Sequence, residues 1–257
     1  MVRILLVRGL LVGLLAGIVA GGFAFVFGEP QVDGAIAVEE AAASEHSHGA
    51  DEAAASHDHG EEAVVSRPVQ KAGLFLATGL YGLAVGGVFA LVFAGLRGRV
   101  GPRSDGRLAL AAAGTAFTAV VLVPFLKYPA NPPAVGDPDT INGRTLLYVV
   151  IVLVGLAATA IAIATARRIV SANPWVRWVS AAGGFLVPVV AAWVLLPAVD
   201  EVPDGFPATL LWEFRLASLG TQLVFWAAFG VLFGWVSDRA AARGAASSAR
   251  VVPASPS

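Results

Sequence analysis

Thr145-Leu146-Leu147-Tyr148-Val149-Val150-Ile151-Val152-Leu153-Val154-Gly155-Leu156-Ala157-Ala158-Thr159-Ala160-Ile161-Ala162-Ile163-Ala164-Thr165-Ala166 carries no charge, and Arg167-Arg168 closes it. About 20 mostly apolar residues in a helix cross a bilayer core of roughly 30 Å. The stretch therefore reads as a membrane-spanning helix. On either side of it five more such runs stand at residues 4–27, 72–96, 108–126, 179–196 and 209–236. Helices satisfy their own backbone polar groups where no water is present, so prolines and glycine pairs inside these runs are tolerated as they would not be in soluble helices. Composition agrees with this. The 257 residues are 57% hydrophobic and 14% charged, with mean hydropathy +0.75. Ordinary soluble domains carry roughly 45–50% apolar and about 25% charged residues. The expected fold is an all-α integral membrane protein of six transmembrane helices, and a water-soluble enzyme is excluded as the default.

Basic residues give the orientation. With six spans, Arg3, Arg8, Arg97, Arg99, Arg103, Arg107, Arg167, Arg168, Arg177, Arg239, Arg243 and Arg250 fall on one side; these are twelve of the 17 lysines and arginines. Arg67, Lys71, Lys127 and Arg144 fall on the other, and Arg215 lies within the last span. The positive-inside rule puts both termini in the cytoplasm of a multi-pass protein of the cytoplasmic (inner) membrane. Ala35-Ile36-Ala37 resembles a signal-peptidase site. However, the apolar run before it exceeds the roughly 7–15 residues of a signal-peptide core, which favours a retained first helix. The domain reading is a first helix at 1–27, an extracytoplasmic loop at 28–69, a five-helix remainder at 70–236 and a disordered cytoplasmic tail at 237–257.

Gly9, Gly13, Gly17 and Gly21 recur every fourth residue and line one face of the first span with bare backbone, which permits close approach of another helix. The second span echoes this pattern with Gly82 and Gly86-Gly87. A weaker echo joins the third and fifth spans: Leu122-Val123-Pro124 and Leu195-Leu196-Pro197 each precede a proline-rich connection. The spans read as three helical hairpins running in, out and in again.

Residues 28–68 are of another composition. Ten carboxylates (Glu29, Asp33, Glu39, Glu40, Glu45, Asp51, Glu52, Asp58, Glu61 and Glu62) accompany one basic residue, Arg67. All four histidines of the chain lie here, as His46-Ser47-His48 and His57-Asp58-His59. Such composition cannot bury a core and is expected to be largely disordered without a ligand. Imidazole with carboxylate suits divalent first-row metals, so His46, His48, His57 and His59 are the candidate ligands, with Asp58 or Glu61 adding oxygens. The plain alternative is an acidic solvated linker. The chain has no cysteine, which removes thiolate sites, disulfides and iron–sulfur clusters.

Two proline-rich connections share the expected outer face. Residues 127–140 contain Asn131, and residues 197–207 contain Asp200 and Glu201. With Glu29 these oxygens could form a vestibule for a cation, or the connections could simply cap helix ends. The last span carries Trp212-Glu213-Phe214-Arg215 and then Ser218 and Gln222. Arg215, Ser218 and Gln222 share a helical face, whereas Glu213 lies on another. Glu213, Arg215 and Gln222 are the candidates for a lining of the route through the membrane. No phosphate-binding Gly-x-x-x-x-Gly-Lys loop is present, nor any Gly-x-Ser-x-Gly or His-Glu-x-x-His, so no enzyme is expected.

The chain resembles the CbtA family of predicted cobalt transporter subunits. The resemblance rests on Phe27-Gly28-Glu29-Pro30 and the histidine-bearing loop, on Val123-Pro124-Phe125-Leu126-Lys127-Tyr128-Pro129-Ala130-Asn131-Pro132-Pro133-Ala134-Val135-Gly136, and on Leu196-Pro197 through Phe206-Pro207 to Leu211-Trp212-Glu213-Phe214-Arg215. It implies cobalt uptake associated with cobalamin, with a small histidine-bearing membrane subunit (CbtB) as partner. No resident cofactor is expected, only a transported or bound divalent metal, with Co2+ favoured. Membrane lipid is an expected partner, nucleic acid is not, and the number of copies that assemble is left open. The competing function is a membrane-anchored metal-binding or sensing module that does not itself transport.

Overall fold

The computed structural model describes residues 2–47, 66–169 and 173–251. Among these residues the regular structure is entirely helical. Six helical stretches are long and apolar enough to cross a membrane: Val2–Ser44, Arg67–Leu96, Asp105–Lys127, Pro138–Arg168, Pro174–Leu195 and Ala208–Gly244. The chain is an all-α, multi-pass membrane protein, as its apolar runs require.

Eight α-helices make up these stretches. They are α1 (Val2–Phe23), α2 (Glu29–Ser47), α3 (Arg67–Leu96), α4 (Asp105–Phe117), α5 (Val123–Lys127), α6 (Ile141–Arg168), α7 (Pro174–Leu195) and α8 (Ala208–Val251). A π-helical turn at Ala24–Gly28 joins α1 to α2, and another at Thr118–Leu122 joins α4 to α5. Each precedes a proline, Pro30 and Pro124. A proline ring crowds the carbonyl four residues back and leaves it without a donor, and one widened turn relieves both problems. At the first site the Glu29 N–H reaches back to the Ala24 carbonyl.

By contacts the chain forms two compact units. One comprises Met1–Gly22, Leu74–Phe117 and Gln222–Ser257. Here α1 and α3 lie antiparallel with their backbones in direct apposition. A Cβ added at Gly9, Gly13 or Gly17 would strike the carbonyl oxygen of Gly86, Gly82 or Thr78 respectively. The four-residue glycine spacing thus has its expected consequence, and the second-span glycines supply the opposing groove. Phe89 and Phe93 of α3 then pack on Trp226, Phe229 and Phe233 of α8, and Tyr81 of α3 meets Phe225. The Phe89 and Phe229 rings meet edge to face, with centroids 4.8 Å apart. Helix α4 crosses α8 through small residues, Gly106 against Gly234 and Ala113 against Gly230. The Asp238 carboxylate accepts the Gly106 N–H at 2.8 Å, satisfying one of the open amides at the N-terminus of α4 where negative charge is favoured.

The other unit comprises Phe23–Gly73 and Thr118–Thr221. Val123, Ile151, Ala158 and Val189 form its buried core, with Tyr128, Val154, Phe185, Ala192 and Leu196 packed around them. Helices α6 and α7 pair along their length. Gly155 of α6 admits the Ala119 carbonyl from the second π turn, where any side chain would collide. Helix α2 lies on the start of α8 through Gly34 and Leu210.

In two places helix runs past the boundary read from the sequence. Irregular chain was expected from residue 28, but Glu29–Ser47 is helical. Alanine and glutamate are strong helix formers, and a helix already nucleated in α1 extends through them at little cost, with Ala35 fully buried. Likewise α8 continues to Val251 beyond the expected start of a disordered tail at 237, through an alanine-rich stretch. His48, His57, Asp58, His59 and Glu61 lie outside the described residues. His46 falls in the last turn of α2.

Candidate functional site

Glu29 and Asp33 stand one turn apart on α2, and Arg67 and Lys71 stand one turn apart on α3. The two pairs face each other. Arg67 Nη2 donates to Glu29 Oε2 at 2.8 Å and to Asp33 Oδ1 at 2.5 Å, and Lys71 Nζ donates to Asp33 Oδ2 at 2.7 Å. Arg67 Nη1 also donates to Gln70 Oε1 at 2.7 Å. Four charges therefore form a neutral clasp that pins the start of α3 to α2. Glu29 is the more enclosed carboxylate, 13% exposed against 45% for Asp33. Two of the ten carboxylates of the acidic segment are compensated in this way. Asp33 and the two bases were not among the candidate residues, although Arg67 stood out as the single base in an acidic stretch.

The proline-rich connections are knitted to their surroundings by side chains at both ends. Lys127 Nζ donates to the Trp193 carbonyl at 3.0 Å, and Tyr128 Oη donates to the Pro197 carbonyl at 2.8 Å. Burial raises the Tyr128 hydroxyl above the ordinary phenol value, so it remains a donor. Arg215 of α8 reaches into the first connection. Its Nη2 donates to Asn131 Oδ1 at 2.9 Å and its Nε to the Ala130 carbonyl at a longer 3.4 Å. The Asp200 carboxylate lies within electrostatic range of the same guanidinium. Asn131, Asp200 and Arg215, singled out separately in the sequence, are brought together here.

Glu201 is the second node. Its Oε2 accepts the Asp137 N–H at 2.9 Å and lies 3.3 Å from Arg144 Nε. The Asp137 amide, the Thr140 hydroxyl and the Arg144 charge together hold this carboxyl below its ordinary value, against partial desolvation. Arg144 Nη2 donates to the Asp137 carbonyl at 2.9 Å. Its Nε is buried and makes an ion pair with Glu201 without an aligned hydrogen bond. Arg144, Asp137 and Thr140 were not anticipated, and their spacing within one turn-and-helix start was the available signal. Between the two nodes the backbone is tightly specified. Ala134 has φ 64° and Gly136 φ 123°, and the Arg144 guanidinium occupies the space where a side chain at Gly136 would go. Pro132 and Val135 are buried although they lie in a connection.

Elsewhere, Gln222 Oε1 accepts from Tyr81 Oη at 3.3 Å across α8 and α3. Glu213 is exposed. Among the described residues no group of three or more His, Asp or Glu is arranged to hold a metal ion. Of the expected vestibule oxygens, Asn131 accepts from Arg215, Glu201 faces Arg144 and Glu29 is held by Arg67.

Comparison with known families adds one finding. The model of a family described as "Probable cobalt transporter subunit (CbtA)" matches residues 2–238. No curated protein and no solved structure matches.

Proposed function

Because the chain belongs to the CbtA family of probable cobalt transporter subunits, we propose that it is the membrane permease subunit through which divalent cobalt enters the cell. Membership supports a role in cobalt transport, and six apolar helical stretches provide the membrane body. In this reading both termini are cytoplasmic in the inner membrane and the acidic, histidine-bearing segment is outside. Its negative charge concentrates cations near the surface, an effect that salt weakens. His46, His48, His57 and His59 capture the metal, with Asp58 adding an oxygen, and the proline-rich connections receive it. An inside-negative potential favours inward movement by about 2.3 kcal/mol per charge per 100 mV, so a divalent ion needs no nucleotide-driven step. A small membrane partner subunit completes the assembly.

The observation that carries the reading is the family match over nearly the whole chain, joined to the confinement of every histidine to one segment between two apolar helices. Proteoliposomes offered Co, Ni, Zn and Mg test it. Time-dependent accumulation of cobalt inside the vesicles is expected. Cobalt that only titrates the outer surface would instead identify a scavenger or sensor. Deletion of residues 44–60 is expected to weaken uptake at low cobalt and to spare it at high cobalt.

A further inference from the structure

Residues 127–140 have the properties of a strap rather than of an ordinary surface connection. Pro132 and Val135 are buried, and two consecutive features of the backbone, Ala134 at φ 64° and Gly136 at φ 123°, set an unusual path. An unsupported chain would not hold a non-glycine residue there, since such a conformation costs on the order of 1–3 kcal/mol. The support is two guanidinium groups. Arg215 holds Ala130 and Asn131 from α8, and Arg144 holds Asp137 while facing Glu201 of the neighbouring connection.

Each latch pairs one well-formed bond, Arg215 Nη2 to Asn131 and Arg144 Nη2 to Asp137, both at 2.9 Å, with one weaker contact. Charge-assisted N–H···O bonds run at about 2.7–2.9 Å. Arg215 Nε stands 3.4 Å from its carbonyl, and Arg144 Nε stands 3.3 Å from Glu201 without hydrogen-bond alignment. The groups they hold are an amide oxygen, main-chain oxygens and a carboxylate. These are ligand types that a divalent cation also attracts, and with twice the charge of a guanidinium. We infer that residues 127–140 form a strap latched by Arg215 and Arg144, and that divalent cargo releases it by competing with the two guanidinium groups for the oxygens they hold. Arg215 is then a positioning residue, acting on cargo through the strap. The inference rests on the transport reading for the identity of the cargo.

Val135 reports the latch, because it is buried when the strap is seated and the chain has no native cysteine. Full-length Val135→Cys in proteoliposomes is labelled with a membrane-impermeant maleimide, with and without cobalt chloride. Labelling is expected to be slow without cobalt and severalfold faster with it. Adding Arg215→Gln should make labelling fast without cobalt, and Arg215→Lys should fall between, keeping charge but losing the planar fork. Hydrogen exchange of the Asp137 amide in the unsubstituted protein gives the same readout without a cysteine, since that amide is held by Glu201. Cobalt should speed its exchange. If Arg215→Gln speeds labelling while cobalt changes neither labelling nor exchange, the strap is a static brace and the inference falls. Equal labelling in all variants would overturn it too. Uptake is scored separately: vesicles that never accumulate cobalt overturn the transport reading, whatever the strap does.

Discussion

Gly13 of α1 and Gly82 of α3 stand backbone to backbone, each occupying the space that the other's side chain would need. In a bilayer the lipid tails are as apolar as the helices, so association depends on dispersion contacts, which fall off steeply with separation. Small residues on both faces permit the shortest approach. The neighbouring contacts, Gly9 with Gly86 and Gly17 with Thr78, repeat the arrangement along the helix pair.

Gly82→Leu should therefore force α1 and α3 apart, at a cost of about 1–3 kcal/mol or more, as overpacking does elsewhere. Thermal unfolding in mild detergent should show a lowered midpoint. Gly22→Ala is the control, because no atom lies within 4 Å of a Cβ placed there. It should be neutral or slightly stabilising through helix propensity. Equal effects of the two substitutions would mean that the glycine contact does not hold the pair.

The clasp between α2 and α3 predicts coupling rather than a large single effect. Asp33 is nearly half exposed, so solvent screens its pairing with Arg67 and Lys71. In a cycle of Asp33→Asn, Arg67→Gln and the double variant, the coupling energy should be about 0.5–1 kcal/mol. It should shrink as salt is raised. Additive effects would show that the Asp33–Arg67 pair makes no joint contribution.

The membrane body was legible because its signals are periodic or cumulative. A run such as 145–166 leaves one reading, and the glycines of α1 announce a contact face without naming the partner. The helical state of residues 29–47 was not legible from composition. Low hydrophobicity tests whether a segment can bury a core, whereas continuation of an existing helix depends on propensity and on the Arg67 clasp. At the proline-rich connections the residue types were legible but their pairing was not. Arg215 is close in sequence to Glu213, yet it spends its donors on Asn131 and Ala130, 84 and 85 positions away. Helical geometry excludes Glu213 as a natural partner but cannot point across such a distance. Of the oxygens that read as an open vestibule, Glu201 is engaged by Arg144, Asn131 by Arg215 and Glu29 by Arg67.

Gly136 separates two costs that usually arrive together. At φ 123° any side chain is strained, by about 1–3 kcal/mol, and here its Cβ would also displace the Arg144 guanidinium. Gly205 has a positive φ of 82° with nothing near a built Cβ, so Gly205→Ala incurs the strain alone. Gly136→Ala should lower the unfolding midpoint further than Gly205→Ala. It should also speed exchange of the Asp137 amide, which Gly205→Ala should leave protected. Matching exchange rates would show that Arg144 can move aside without loosening the connection.

Acid should loosen the connections through Glu201. The Asp137 amide, the Thr140 hydroxyl and the Arg144 charge favour the ionised carboxylate and place its pKa below the ordinary value of 4.5. A depressed carboxyl contributes stability that is fully present above that ordinary value and is lost as pH falls toward and through the lowered one. At neutral pH the contribution is complete, so a scan from pH 7 to pH 5 should leave the Asp137 amide as protected as before. Below about pH 4.5 its exchange should accelerate beyond the intrinsic trend, as the carboxyl takes up a proton and the Arg144 attraction weakens. Glu201→Gln should show fast exchange already at neutral pH and should lose the acid-dependent component. If the substituted protein kept both the protection and the acid response, the stabilising carboxylate would have to be a group other than Glu201.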